Sequence, residues 1–239
     1  MRLAIIPARG GSRRVPRKNA RAFAGRPMLA HPVAAARASR SIDRVWVSTD
    51  DPEIADVARA AGAEVPFVRP GAIADDHATL AEVMRHALGH AREAGLDVSE
   101  ACLVFATAPM LDPDDIDRGL AELLRTGADH ALSVAPFAFA PQRAQRLGAD
   151  GTLEYVQPEF ARTRSQDLEP LFHDAAQFVW GRAEAFAEPG DAPRTVAVPV
   201  DPARVVDIDT PEDWARAERA FASLASRGDG VRAGLARAS

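Results

Sequence analysis

Short apolar runs alternate with amphipathic stretches through the first half of this chain, and that rhythm constrains the fold more than any other feature. Leu3-Ala4-Ile5-Ile6 has no polar interruption, as expected of a parallel strand covered on both faces. Arg44–Thr49, Val65–Arg69, Ala101–Ala106 and Ala131–Val134 repeat the pattern. Between them the spacing predicts helices over Pro27–Ser39, kinked at Pro32, over Pro52–Ala61, closed by Gly62, over Thr79–Ala94, and from an Asp112 cap to Arg125. Such alternation implies an α/β fold with a mostly parallel, Rossmann-like sheet and helices on both faces. Phe178–Gly181, Val196–Val200 and Val205–Ile208 read as further strands, bringing the sheet to about seven. Pro211–Leu224 is a last helix, with Thr210 as its N-cap and Asp213 at the third position.

The rhythm breaks between Phe137 and Asp174. Gln142–Leu147 and Thr152–Gln157 flank Gly148-Ala149-Asp150-Gly151 like the arms of a hairpin. Phe137, Phe139, Leu147, Leu153, Tyr155, Val156 and Phe160 give this excursion more apolar surface than a small unit covers alone, which predicts a homodimer contact. The expected organisation is one domain over residues 1–225, with 137–174 as its excursion, followed by a frayed tail over 226–239 rich in Arg, Gly and Ala.

Directly after the first strand comes Pro7-Ala8-Arg9-Gly10-Gly11-Ser12-Arg13-Arg14, then Arg17-Lys18-Asn19. Lys18 and Asn19 are the only lysine and the only asparagine in the chain, although Lys and Arg together number 29. Glycines let backbone amides approach a ligand closely, and the five cations from Arg9 to Lys18 suit a polyphosphate. A solvated basic loop is the plainer reading of the same run. Neither G-x-x-x-x-G-K-[ST] nor G-x-G-x-x-G is present, so two familiar phosphate loops are set aside. As a solvated cation, Lys18 should contribute no more than about 0.5 kcal/mol to stability.

A net charge of −5 argues against nucleic acid as the main partner. Cys102 sits in an apolar run and reads as a buried structural thiol, which excludes a disulfide framework. No apolar run approaches the roughly 18 residues of a membrane helix and no signal peptide is evident, so no membrane partner is expected and a cytoplasmic location is. Near the C-terminus, Val205-Val206-Asp207-Ile208-Asp209 places two carboxylates two residues apart. On a strand they would share a face and could hold Mg²⁺ through oxygen ligands. Alternatively, Asp209 complements the dipole of the helix that follows.

The stretch IIPARGGSRRVPRKN, the V-S-T-D-D strand end and D-I-D-T-P-E-D-W together resemble the cytidylyltransferases that activate nine-carbon α-keto sugar acids with CTP. ATAP (Ala106–Pro109), FAPQRA (Phe139–Ala144), RSQDLE (Arg164–Glu169) and FHDAAQFVWG (Phe172–Gly181) are similar to the branch of that family acting on pseudaminic acid. The similarity extends from residue 1 to about Phe221. It implies that Ala8, Arg9, Gly10, Gly11, Ser12, Arg13, Lys18, Asn19, Arg69 and Thr79 bind the nucleotide, the last within Asp75-Asp76…Thr79. It implies catalytic roles for Arg13, Lys18 and Asp209, and Mg²⁺ on Asp207 and Asp209. Gln142, Arg143, His173, Asp174, Gln177 and Phe178 would lie around the sugar acid, although Phe178 also reads as plain core. Sialic acid synthetases carry glutamine where this chain has Ala106; within the branch, Ala176 replaces a usual glycine and Val179 a usual aromatic residue. Sibling enzymes for legionaminate or sialate, a glycosyltransferase using two spaced aspartates, and a non-catalytic nucleotide-binding module remain compatible with the residues.

Overall fold

The computed structural model describes residues 1–12, 14–75, 78–188, 190 and 192–227. Its first strand, β1 (Arg2–Pro7), is central because Leu3 to Ile6 are fully buried. Their side chains alternate between two cores. Leu3 and Ile5 pack with Trp46, Met84, Leu88 and Leu103, while Ala4 and Ile6 pack with Val47, Val104, Phe178 and Trp180. This period-2 division of one apolar run is what lets helices cover both sheet faces.

A two-residue ribbon, β2 (Ala22–Phe23) with β3 (Arg26–Pro27), follows the first loop and leads into α1 (Ala30–Ala38). The helix starts three residues later than its sequence suggests, since Pro27 belongs to β3. Pro32 therefore falls in the first turn, where a missing N–H costs nothing and no kink is needed. β4 (Arg44–Ser48) pairs parallel to β1, and α2 (Pro52–Ala60) is capped by Asp51 Oδ1, which accepts from the amides of Glu53 and Ile54. The strand expected over Val65–Arg69 reduces to one parallel bridge, Trp46 to Glu64. Pro66 has no N–H to donate, so the ladder stops there. Next come α3 (Leu80–Glu93), whose Thr79 and Glu82 form a capping box, and β5 (Glu100–Val104), parallel to β1. α4 (Pro113–Thr126) has Asp112 as its cap, and β6 (His130–Pro136) follows.

The excursion holds the antiparallel hairpin β7 (Gln145–Leu147) with β8 (Leu153–Tyr155). Phe139, Leu147, Leu153 and Val156 are all more than half exposed on it. The chain returns through β9 (Phe172–Arg182), which inserts antiparallel between β5 and β6, then α5 (Ala183–Ala187), the edge strand β10 (Thr195–Pro199) and α6 (Pro211–Arg227). Among the described residues the sheet has six strands in the order β10-β6-β9-β5-β1-β4. Five run one way, as a mostly parallel sheet requires. Of the eight segments read as strands, two drop out: the segment after β4 is a single bridge and Val205–Ile208 forms no strand.

β9 is bulged where it meets β6. Ser133 is fully buried, and its hydroxyl accepts from the amides of Phe178 (3.1 Å) and Gln177 (3.4 Å), replacing a ladder carbonyl. Ala176 adopts a φ of 49°, and its amide donates to Asp174 Oδ1 at 2.7 Å. Left-handed backbone is easiest for glycine, the residue expected here by resemblance. Because β9 runs backwards, its first half lies at the carboxyl ends of the parallel strands. No described helix is long and apolar enough to cross a membrane.

Candidate active site

A cleft of about 590 Å³ opens at the carboxyl ends of β1 and β5. Open α/β sheets bind ligands at this edge. One wall is the loop after β1, contributing Arg9, Ser12, Arg14, Lys18 and Asn19; the others hold Arg69, Asp75 and Asp209, with Leu80, Val83, Leu103 and Phe105 as an apolar surface. Ala106 and Thr107 also line it.

The loop is braced from inside. Asn19 Nδ2 donates to the Arg9 carbonyl at 3.0 Å, and the Gly10 amide donates to Asp50 Oδ1 at 3.1 Å. A Cβ on Gly10 would stand 2.6 Å from Asp51 Oδ2, so the glycine is required by close approach to the α2 cap. Gly11 is exposed, and a Cβ there would face open space. Ala8 is buried and its N–H is already bonded to the Ser48 carbonyl, so Ala8 shapes the cleft from behind. Arg17 turns away to Glu53 and Asp51. Arg13 and Asp76 lie outside the described residues, as does the tail from 228 onward. Thr79 spends its hydroxyl on the α3 capping box, which places it beside the cleft rather than in it.

Lys18 crosses to the C-terminal part of the chain. Its Nζ donates to the Ile208 carbonyl at 2.6 Å and lies 3.6 Å from Asp209 Oδ1, with the side chain 18% exposed. That anchoring corrects the expectation of a freely solvated cation. Arg14 Nη1 meets Asp209 Oδ2 at 2.9 Å. The cap of α6 is filled by Thr210 and Asp213, which exchange hydrogen bonds. Asp209 is therefore not the capping side chain, and its carboxylate faces two cations in the cleft. Ile208 is buried beside Val15, Phe23, Met28 and Trp214, pinning the segment between an exposed Asp207 and the half-buried Asp209. Among the described residues no three His, Cys, Asp or Glu side chains gather as a metal cage. The donor set fits Mg²⁺ in its usual manner, one or two carboxylates completed by phosphate oxygens and water.

Arg69 is 5% exposed at the cleft wall, held by Ser48 through Nε to Oγ (3.1 Å) and Nη2 to the carbonyl. Burial lowers its pKa to about 10, with Asp50 opposing that shift and Arg9 adding to it. The guanidinium stays charged at neutral pH, and an anion arriving in the cleft would relieve its desolvation. Cys102 is buried, and desolvation pushes its thiol up, in keeping with a structural role.

The residues expected around a sugar acid gather at the same sheet edge but outside the cleft lining. Gln142 is buried, with Nε2 donating to the Glu169 carbonyl, and exposed Arg143 reaches Ser165 at 3.4 Å. His173 Nδ1 donates to the Asp174 carbonyl and its ring meets Phe137 edge-on. Gln177 is 2% exposed, and its carbonyl accepts from the Phe105 amide that starts the cleft floor. Phe178 is wholly buried against Gly119 of α4, which makes it core. Sequence reasoning missed Ser48 and Ser133, although V-S-T-D-D contained the former.

A loop of cations thus faces a carboxylate across a cleft at the carboxyl edge of an α/β sheet. The sequence model of the Cytidylyltransferase family matches residues 3–169, and the chain belongs to that family. It is 33% identical over 213 residues to pseudaminic acid cytidylyltransferase of Campylobacter jejuni, covering 88% of this chain and 92% of that protein. It is 31% identical to CMP-N,N'-diacetyllegionaminic acid synthase of Legionella pneumophila, over 91% of this chain and 94% of that one. The solved structure of CMP:2-keto-3-deoxy-manno-octonic acid synthetase complexed with CTP matches with a TM-score of 0.67 at 18% identity, covering 93% of this chain and 98% of that chain. The last likeness shows the shared fold.

Proposed function

We propose that this cytidylyltransferase joins CMP from CTP to a nine-carbon α-keto sugar acid, with pseudaminic acid as the acceptor. The observation that carries the reading is the cleft in which Arg9, Arg14, Lys18 and Arg69 surround a volume closed by Asp209. The anomeric hydroxyl attacks the α-phosphorus, an oxygen–phosphorus bond forms as the hydroxyl proton passes to solvent, and the bond to the bridging oxygen breaks as pyrophosphate leaves. The cations and the Gly11 amide hold the phosphates and take up their negative charge without rearranging. Leu80, Val83, Leu103 and Phe105 offer the apolar surface for the base. Asp209, with Asp207, would hold Mg²⁺, which neutralises phosphate charge and orients the leaving group when bound. Arg13 is assigned to the phosphates with Lys18. Gln142, Arg143, His173, Asp174 and Gln177 are assigned to the sugar side.

Ala106 favours pseudaminate over sialate, since a short side chain lines the cleft where sialate synthetases place a glutamine. The catalytic unit is residues 1–225, and the exposed apolar face of 137–174 pairs two copies. Incubation with CTP, Mg²⁺ and a panel of nine-carbon keto acids should release pyrophosphate and give a CMP-sugar by mass spectrometry, with pseudaminate turned over fastest. Release of pyrophosphate with none of the acids would refute the reading; faster turnover of sialate or legionaminate would refute the acceptor.

A further inference from the structure

We infer that Arg204 is a positioning residue for the transfer step, acting through an ion pair with Asp112. It does not line the cleft. It sits at the end of the short 3₁₀ turn Pro202–Arg204, whose start is capped by Asp201 Oδ1 accepting from the Ala203 amide. Its Nη1 donates to Asp112 Oδ2, and the two side chains are only 13% and 15% exposed. The partner is itself fixed, because Asp112 Oδ1 caps α4 by accepting from the Asp114 amide at 3.0 Å. The Arg204 carbonyl accepts from Gln177 Nε2 at 3.0 Å. One residue thus ties the segment after β10 to a helix start and to the bulged half of β9.

What this holds is the approach of Asp209 to the phosphates. The segment leaves the sheet at Val200, whose amide bonds to the Val134 carbonyl, and is next gripped at Arg204. From there Val205 and Val206 pack at the margins of two cores, Ile208 is buried, and its carbonyl receives Lys18. A shift at Arg204 is passed directly to the Lys18 contact and the Asp209 carboxylate, five residues on. The pairing has a physical logic beyond holding the fold. A bidentate-capable arginine on a helix-capping aspartate is geometrically stricter than packing alone.

The inference rests on Asp209 serving at the phosphates, so Asp209→Asn is measured in parallel. Arg204→Met removes the pair and keeps the stem, and Asp112→Asn removes the charge while leaving a good helix cap. The combined Arg204→Met/Asp112→Asn variant removes both charges of the pair together, and Arg204→Lys keeps the charge without the planar fork. In the two single removals and the double variant, kcat should fall on the order of 10-fold or more while the KM for CTP changes by less than about 2-fold, as for misplacement of a reacting group. Mn²⁺ binding, read by electron paramagnetic resonance with CTP and no sugar acid, should weaken on the order of 10-fold, as when a ligand's outer partner is lost. The double variant should be no worse than either single, and Arg204→Lys should recover part of both readouts. A folded double variant or Arg204→Lys with wild-type kcat and Mn²⁺ affinity, differing only in melting temperature, would overturn the inference. If Asp209→Asn itself keeps full activity and Mn²⁺ affinity, the reading of Asp209 fails instead.

Discussion

Replacing Lys18 with alanine separates two kinds of contribution from one side chain. In the structure its ammonium donates to the Ile208 carbonyl at 2.6 Å and stands 3.6 Å from Asp209, with 18% of the side chain exposed. A hydrogen bond from a charged group contributes about 1.5–3 kcal/mol. Against it stands the rotamer entropy of an ordered lysine, up to about 2 kcal/mol, which the alanine variant no longer loses. Arg14 remains on Asp209, so that carboxylate keeps a partner. The net loss should be about 1 kcal/mol, which for a chain of this size lowers the melting temperature by about 2–4 °C. Activity should fall far more, on the order of 10²-fold or beyond, because a preorganised charge at the phosphates is lost. Urea unfolding without ligand reads the first number and pyrophosphate release the second. Lys18→Arg should also be poor, since a planar fork cannot place one compact donor on the Ile208 carbonyl beside Asp209. Turnover within about 3-fold of wild type would refute the phosphate role. A stability loss above about 4 kcal/mol would instead make Lys18 a structural pin.

Asp209→Asn should reduce pyrophosphate release on the order of 10²-fold, and Asp207→Asn less, because the exposed Asp207 does not line the cleft; equal losses would contradict that ranking. His31 is 3% exposed, with Nε2 donating to the Phe23 carbonyl and Nδ1 accepting from Arg26. Burial lowers its pKa from 6.5 to about 4, with Arg26 adding to the shift and the Phe23 bond opposing it. Its contribution, about 3 kcal/mol, is therefore complete above pH 6.5 and lost as pH falls towards 4; unfolding free energies of His31→Gln that keep the wild-type slope in this window would contradict it. Gly10→Ala should destabilise by about 1–3 kcal/mol, since its Cβ would meet the Asp51 Cβ at 2.9 Å and displace the α2 cap; unchanged denaturation curves would refute the clash. Leu147→Glu with Leu153→Glu, both on the exposed hairpin, should give monomers in light scattering; a variant that stays dimeric would move the contact elsewhere.

Local pattern and long-range pairing were legible in the chain to different degrees. β1, α3, α4 and α6 carry their caps and apolar periods in adjacent residues, so their positions follow from Thr79, Asp112, Thr210 and Asp213. Strand direction is not encoded that way. Periodicity is the same read forwards or backwards, and β9 looks like any buried strand although it runs against its neighbours. Its bulge depends on Ser133, 44 and 45 residues before the amides it serves, with nothing in the local pattern to mark it. Val65–Arg69 failed as a strand for a reason visible in the sequence, the missing donor of Pro66. Val205–Ile208 failed for one that was not: Ile208 is drawn into the cluster beneath the first loop, and Lys18 takes its carbonyl.

The same distinction governs the site. The loop could be read as a phosphate cradle because its glycines and cations are contiguous, whereas the partners that aim it are remote. Lys18 meets Ile208 at a separation of 190 residues, and Arg204 meets Asp112 at 92. The first loop and the segment before α6 meet here because α6 lays Trp214 and Phe221 edge-on against Phe23, just after the loop, and Arg21 stacks over Trp214. Burying those rings closes the cleft: it brings the Asp209 segment to the cations of the first loop and leaves the carboxylate facing them. In this fold the apolar contact of the last helix is therefore a condition of the polar site, and weakening it should loosen phosphate binding before it unfolds the sheet.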